Sequence, residues 1–227
     1  MASMRNLNKP QAIKLSANKE AERAISARPA TQARREEILE AARDLFFSRG
    51  FASASMRDLA GVIGLTQAAI YYHFKSKDEI LFEIINTFSE LLERCICKRL
   101  DAPGDPLKNL NEAIRAHILL TRTHFRDIKL ILEDKKVIDT IYAEDIRERE
   151  TRVFELYRGR IASLIGAGVF RPMSPTVMTF HVLAAINFQF QWFRPGGELQ
   201  LEEVADTTIE LLTHGMLSVR FRATRTK

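Results

Sequence analysis

An all-α fold is predicted by three features of the sequence. Apolar residues recur at three- and four-residue spacing through most of the chain, capping residues and Gly or Pro stops bracket those stretches, and only 10 Gly and 7 Pro interrupt 227 residues. About nine helices follow from these signals. They divide into a short N-terminal unit containing a helix-turn-helix and a longer C-terminal helical unit.

The first 30 residues carry Arg5, Lys9, Lys14, Lys19, Arg23 and Arg28 against only Glu20 and Glu22. Such a segment is either a solvated tail or an arm that adds phosphate attraction or reaches a minor groove. Residues 31–50 then form one helix, with Ile38, Ala41, Ala42, Leu45 and Phe46 on its apolar face and Gly50 as the stop. Arg34 and Arg35 lie near its start, where positive charge opposes the helix dipole, which points to a phosphate contact rather than to helix stability.

Residues 55–74 give the helix-turn-helix. Ser55 caps a helix from Met56 to Ile63, Gly64 ends it, and Thr66 caps a second helix from Gln67 to Phe74. Leu59, Ala60, Ile63, Leu65, Ile70 and Phe74 bury one face of the pair, which leaves Thr66, Gln67, Ala68, Tyr71, Tyr72 and His73 pointing outward. A helix with small and amide groups in its first turn suits the major groove, where Gln pairs with adenine and a methyl group touches thymine. Ser53, Ser55, Met56 and Arg57 surround the start of the first of these helices, whose free amides and hydroxyls suit a DNA phosphate. Ser76 caps the next helix, with Glu79 completing a capping box, and Lys77 is placed to clamp the flanking backbone.

These residues resemble a known family. Ile38–Phe46, Gly50-Phe51, Met56–Ala60 and Ile70–Leu81 are similar, in type and in spacing, to the N-terminal domain of TetR-type (AcrR-like) bacterial transcriptional regulators, and the likeness runs over residues 34–82 without a gap. The resemblance implies a helix-turn-helix DNA-binding domain over 31–76 and a helical ligand-binding and dimerisation domain over 77–227. It also implies a repressor that leaves a palindromic operator when a small molecule binds, with the long helix after Lys77 carrying movement between the two parts.

That helix continues to about Leu100 with Leu81, Ile84, Ile85, Phe88, Leu91, Leu92, Cys95 and Ile96 on its apolar side, and Asp101–Pro106 breaks it. Further helices are expected over 107–123, 125–132 and 142–165, with Gly166, Gly168, Pro172 and Pro175 marking a break. Ser174 and Pro175 start another, which stops at Pro195-Gly196-Gly197, and the last runs from Leu201 to about Phe221. If this part senses a small molecule, Phe88, Leu92, Ile118, Arg122, Ile128, Phe154, Tyr157 and Asn187 are its candidate pocket residues. Arg122, Arg126, Lys129, Lys135 and Lys136 form either a solvated face or an attractor for an anionic ligand. Phe180, Leu183, Phe190, Ile209, Leu212 and Met216 are the candidate dimer interface, because two apolar helices joined by a short turn pair with the same two of a second chain. Trp192–Leu199 is similar to a segment of TetR-type regulators that respond to acyl-CoA thioesters or to fatty and aromatic acids; it is equally a plain loop between dimerisation helices.

Composition narrows the function classes. A net charge of +5 and a pI near 9.3 permit nucleic-acid binding, and hydrophobic and charged contents of 46% and 28% are those of a globular chain. No apolar run approaches a membrane span of about 18 residues and the first 30 residues lack a signal-peptide core, so the cytoplasm is expected. Cys95 and Cys97 diverge by about 200° on a helix, so no disulfide is expected. His117 and His124 lie on a different stretch, so no metal site is expected. No Gly-rich phosphate loop, nucleophile elbow or His-Glu metal spacing is present, so neither an enzyme nor a cofactor is expected. The expected partners are a double-stranded operator, a second copy of the chain and a small effector, with no membrane. The alternative is a helical protein-interaction module that uses Tyr71 and Tyr72.

Overall fold

A computed structural model of the chain describes residues 30–134, 142–194 and 196–218. The basic arm, Lys135, Lys136, Pro195, Val219 and Phe221 lie outside the described residues. Nine helices account for the regular structure of the described part: α1 Ala30–Arg49, α2 Met56–Ile63, α3 Gln67–His73, α4 Lys77–Leu100, α5 Pro106–Leu119, α6 Thr121–Asp134, α7 Ala143–Gly166, α8 Pro175–Trp192 and α9 Leu201–Met216.

The caps set the N-terminal part. Gly50 and Gly64 both take left-handed backbone, at φ 79° and 67°, which ends α1 and α2 where a side chain would be strained. Ser55 Oγ accepts from the Asp58 amide at 3.1 Å while the Asp58 carboxylate accepts from the Ser55 amide at 3.0 Å, a complete capping box. The box expected at Ser76 is not closed in the same way. Ser76 Oγ does accept from the Glu79 amide, but the Glu79 carboxylate reaches one residue further back, to the Lys75 amide at 2.6 Å.

Two apolar cores form. Ile38, Ala42, Phe46, Phe51, Leu59, Ile70 and Phe74 build the first, with Phe46 and Phe51 meeting edge to face at 5.1 Å. Each large side chain buried there stabilises the fold by about 1.5 to 3 kcal/mol. Ile80, Leu81, Ile84 and Ile85 of α4 belong to this same core, whereas Phe88, Leu92, Ile96 and Leu100 of α4 belong to the second, with Ile114, Tyr157, Ile161 and Val182. The junction of the cores therefore falls inside one continuous helix.

Asp105 caps α5, its Oδ1 accepting from the Leu107 amide, and Pro106 occupies the first turn. The break expected between Thr123 and Phe125 is present as non-helical backbone at His124 (φ −124°, ψ 28°), where two helical stretches of α6 meet at a kink. The helix expected to reach Thr123 already ends at Leu119. The last helix stops five residues before the expected Phe221. Leu217 turns extended and buries its side chain beside that of Phe170, while the Arg171 amide donates to Met216 O and the Ser218 amide to Val169 O, both at 2.9 Å. Those two hydrogen bonds and the buried leucine outweigh a further helical turn after the weak helix former Gly215. Cys95 and Cys97 are free and partly buried. Among the described residues no helix is long and apolar enough to cross a membrane, and no His, Cys, Asp and Glu group is placed to hold a metal ion.

Candidate nucleic-acid interface and ligand cavity

Ile70 is fully buried and Phe74 nearly so, and these two anchors fix which side of α3 faces outward. Gln67, Ala68, Tyr71 and Tyr72 are all exposed, Tyr72 by 80%. Thr66 Oγ accepts from the Ala69 amide at 3.2 Å, so its hydroxyl caps the helix while its methyl stays at the surface. His73 is half-buried, its ring edge-on to Tyr72 at 5.0 Å. Two exposed tyrosines beside an amide side chain on a helix held rigidly from behind make a surface suited to base edges.

Around α3 the basic residues divide by function. Arg34 is exposed and, among the described residues, pairs at the surface with Glu37, a contact that a phosphate can replace. Arg57 is exposed in the first turn of α2. Arg35 is committed elsewhere: it stacks over Phe74 at 4.2 Å, donates to His73 O at 3.0 Å and pairs with Glu83. Met56 is buried in the first core, which takes its side chain away from DNA. Beside it, the hydroxyl and amide of Ser55, with Arg49 and Arg57 nearby, hold the Asp58 carboxyl below its usual range. Its charge is thus matched where a phosphate would approach.

Lys77 departs most from expectation. Its ammonium donates to the carbonyls of Phe51, Ala52 and Ala54 at 3.0, 3.2 and 3.1 Å and sits over the Phe51 ring, so its three protons are spent on the loop before Ser55 and none stands free for DNA. Its place in the chain suits a backbone clamp; the three carbonyls ending the α1–α2 loop claim it first. Lys77→Ala is expected to cost about 2 to 3 kcal/mol in urea unfolding. It should also weaken operator binding without changing its salt slope, whereas an unchanged stability with a shallower slope would make it a phosphate contact.

A cavity of about 600 Å³ opens between α4, α5, α6, α7 and α8. Phe88, Leu92, Ile128, Phe154 and Asn187, all expected, line it. Ile118 and Tyr157 do not: both are fully buried in the core behind the wall. Ile118 follows His117, which does line the cavity, and one helical step of about 100° turns it inward. Arg122 is at the surface, bonded to Glu202. Sequence reasoning missed His117, Thr121, Arg147, Arg149 and Thr151 on the wall. The available signal was a polar residue breaking an apolar stripe, as His117 does between Ala113, Ile114 and Ile118. Burial pushes the His117 imidazole down to about 4, so it is neutral at pH 7, and burial raises the Tyr157 hydroxyl.

The expected anion attractor is also differently used. Arg126 pairs with Asp44 and Glu40 of α1, and Lys129 sits over the Phe47 ring, so both tie α6 to the N-terminal part. At the centre of that contact Arg43 Nε donates to Asp127 at 2.7 Å, and His124 Nδ1 lies 3.0 Å from the other oxygen of the same carboxylate. The His124 ring is 5.6 Å from that of Phe88, and Phe125 is 4.7 Å from Phe190, so α6 touches two cavity residues and α1 together.

Of the expected interface set, Leu183 and Phe190 line the cavity, Ile209 and Met216 are buried in the chain's own core, and Leu212 is partly buried against it. Phe180 is exposed but packs on Phe154 at the cavity edge. The large apolar side chains exposed on these two helices are Phe180 itself with Val177, Phe188 and Trp192 on α8 and Leu211 on α9. Because α8 is apolar on every side, spacing alone does not say which stripe faces outward.

Comparison with known proteins adds to this geometry. A family model for bacterial regulatory proteins of the tetR family matches residues 38–84, and one for the tetracyclin repressor-like C-terminal domain matches residues 103–216. The HTH-type transcriptional repressor KstR2 of Mycolicibacterium smegmatis is 24% identical over 81% of this chain and 90% of its own length. A crystal structure of the TetR family regulator PfmR from Thermus thermophilus superposes with a TM-score of 0.73 at 31% identity, covering 78% of this chain and 97% of that one. AibR in complex with isovaleryl coenzyme A and operator DNA superposes with a TM-score of 0.73 at 29% identity, covering 79% and 98% of the two chains.

Proposed function

The chain belongs to the tetR family of bacterial regulatory proteins, and from that membership we propose how it acts: as a homodimer that represses transcription from an inverted-repeat operator and leaves it when an apolar acid or its acyl-CoA thioester enters the cavity. The observation that carries this is the shared wiring of α6, which contributes Ile128 to the cavity wall and Asp127 to the bond with Arg43 of α1. AibR is similar over most of both chains and binds isovaleryl coenzyme A and operator DNA, which supports the same pair of ligands here.

In this reading residues 31–76 present the DNA-contacting side chains and residues 77–227 hold the effector and the dimer contact. Gln67 and Tyr71 reach base edges, while Arg34, Arg57 and the capped amide end of α2 hold phosphates. Val177, Phe180, Phe188, Trp192 and Leu211 meet their copies across a two-fold axis. That axis places two copies of α3 about 34 Å apart, one turn of DNA. An effector that wedges Phe88 and Ile128 shifts α4 and α6, alters that separation and lowers affinity for the operator. Repression is by occupancy, without catalysis, in the compartment that holds the DNA. The relatives do not favour the protein-interaction alternative.

The test begins with selection of bound sequences from a random duplex library and titration of the winner against scrambled DNA at two salt concentrations. An inverted repeat with a large specificity ratio is expected, and isovaleryl coenzyme A is the first compound to try for release. Gln67→Ala and Tyr71→Ala are each expected to weaken operator binding by about 1 to 3 kcal/mol with little change on scrambled DNA. Equal losses on both would reassign them to the backbone.

A further inference from the structure

Besides Ser89 on α4 and Asn187 on α8, the cavity has polar groups at two separated places. Arg147, Arg149, Glu150 and Thr151 lie in the first turns of α7, Arg147 exposed and Arg149 paired with Glu90 at 3.5 Å, so that the two guanidinium groups outnumber the one carboxylate on this part of the wall. Eight residues beyond Arg149 on the same helix, about 12 Å by the rise of an α-helix, Tyr157 supports the far wall from behind. There His117 borders the cavity, its Nδ1 3.3 Å from the Tyr157 hydroxyl, which is itself 3.4 Å from Ala113 O. With Nδ1 occupied by the tyrosine, Nε2 is the nitrogen left for a ligand. Thr121, buried and on the same wall, adds a hydroxyl close by in the chain. A neutral imidazole of this kind offers one donor or one acceptor according to tautomer, and the Tyr157 hydroxyl can serve either, by donating to Nδ1 or by accepting from it while donating to Ala113 O.

We propose that His117 reads a hydroxyl or carbonyl oxygen at the inner end of the ligand, so that the effector is an apolar acid bearing oxygen far from its carboxyl group rather than a plain acyl chain. The proposal rests on the reading of the cavity as an acid site. An apolar pocket end penalises a hydroxyl that must shed its water, whereas an end with an unspent imidazole nitrogen penalises a ligand lacking the oxygen. The order of affinity of two matched probes therefore reports which kind of end this is.

The experiment is calorimetric titration of the full chain with 12-hydroxydodecanoate and with dodecanoate. The wild-type protein is expected to bind the hydroxy acid about tenfold more tightly. His117→Leu should reverse the order, and His117→Gln, which keeps a donor and an acceptor, should retain it. A wild-type preference for dodecanoate, or a hydroxy-acid preference that survives His117→Leu, overturns the role of His117 while leaving the acid site standing. Binding of neither acid, free or as its coenzyme A thioester, overturns both. Binding in the expected order without release of the selected operator leaves His117 as the oxygen reader and removes the acid from the regulatory scheme.

Discussion

Asp127→Ala is expected to destabilise the protein by about 2 to 3 kcal/mol, because it leaves the largely enclosed Arg43 guanidinium with only the exposed Glu40 carboxylate, 3.0 Å from its Nη1, as a partner among the described residues. Asp127 is 6% exposed and accepts from Arg43 Nε at 2.7 Å, with His124 on its second oxygen. Arg43→Ala should cost less, since the carboxylate keeps His124, and the double variant should cost much less than the sum of the two. Urea unfolding of the four proteins measures this, and additive losses would show that the pair does not join α1 to α6 energetically. The same variants bear on signalling. If Asp127 transmits the state of the cavity to α1, Asp127→Asn should keep operator binding yet blunt release by an effector, because the amide still occupies the position but holds Arg43 less strongly.

Acid should destabilise the fold through His117 before most carboxylates titrate. Burial takes this imidazole from its ordinary 6.5 to about 4 in the folded chain. Between those values the unfolded chain binds the proton and the folded chain does not, so stability is complete above pH 6.5 and falls as pH drops towards 4. The loss from this group approaches about 3 kcal/mol. His117→Gln should flatten that part of the stability curve, read as the difference between wild-type and variant urea midpoints at pH 7 and pH 4.5. Parallel curves would mean that His117 is solvated enough to titrate normally.

The helix-turn-helix was legible because its signals are local. Ser55, Gly64 and Thr66 act on backbone groups within four residues, so their types and spacing determine the caps, and the buried Ile70 and Phe74 follow from one helical period. What the sequence hid depends on contacts across long separations. Lys77 meets carbonyls more than twenty residues earlier, and Arg43 meets Asp127 eighty-four residues away. Nothing in the neighbourhood of either residue announces its partner. The pocket was half legible for a related reason: apolar spacing identifies the inward faces of α4, α7 and α8, but a cavity wall and a packed core are equally apolar. Only the fold distinguishes Phe154, which borders the space, from Tyr157, less than a turn further on, which does not.

The continuous course of α4 through both cores bears on how such regulators can be recombined. A chimera that exchanges DNA specificity by cutting at Ser76 would sever Ile80, Leu81, Ile84 and Ile85 from the side chains they were selected to fit. The portable unit ends after Ile85 and before Phe88, two residues that share a helix but not a core. Its graft also has to bring a match for Leu130 of α6 and Ile146 of α7, which are buried in the first core, and for the face of α6 that carries Arg126 and Asp127. Domain shuffling in this architecture is thus a problem of splicing within a helix, where register must be kept to the residue, rather than of joining parts through a linker.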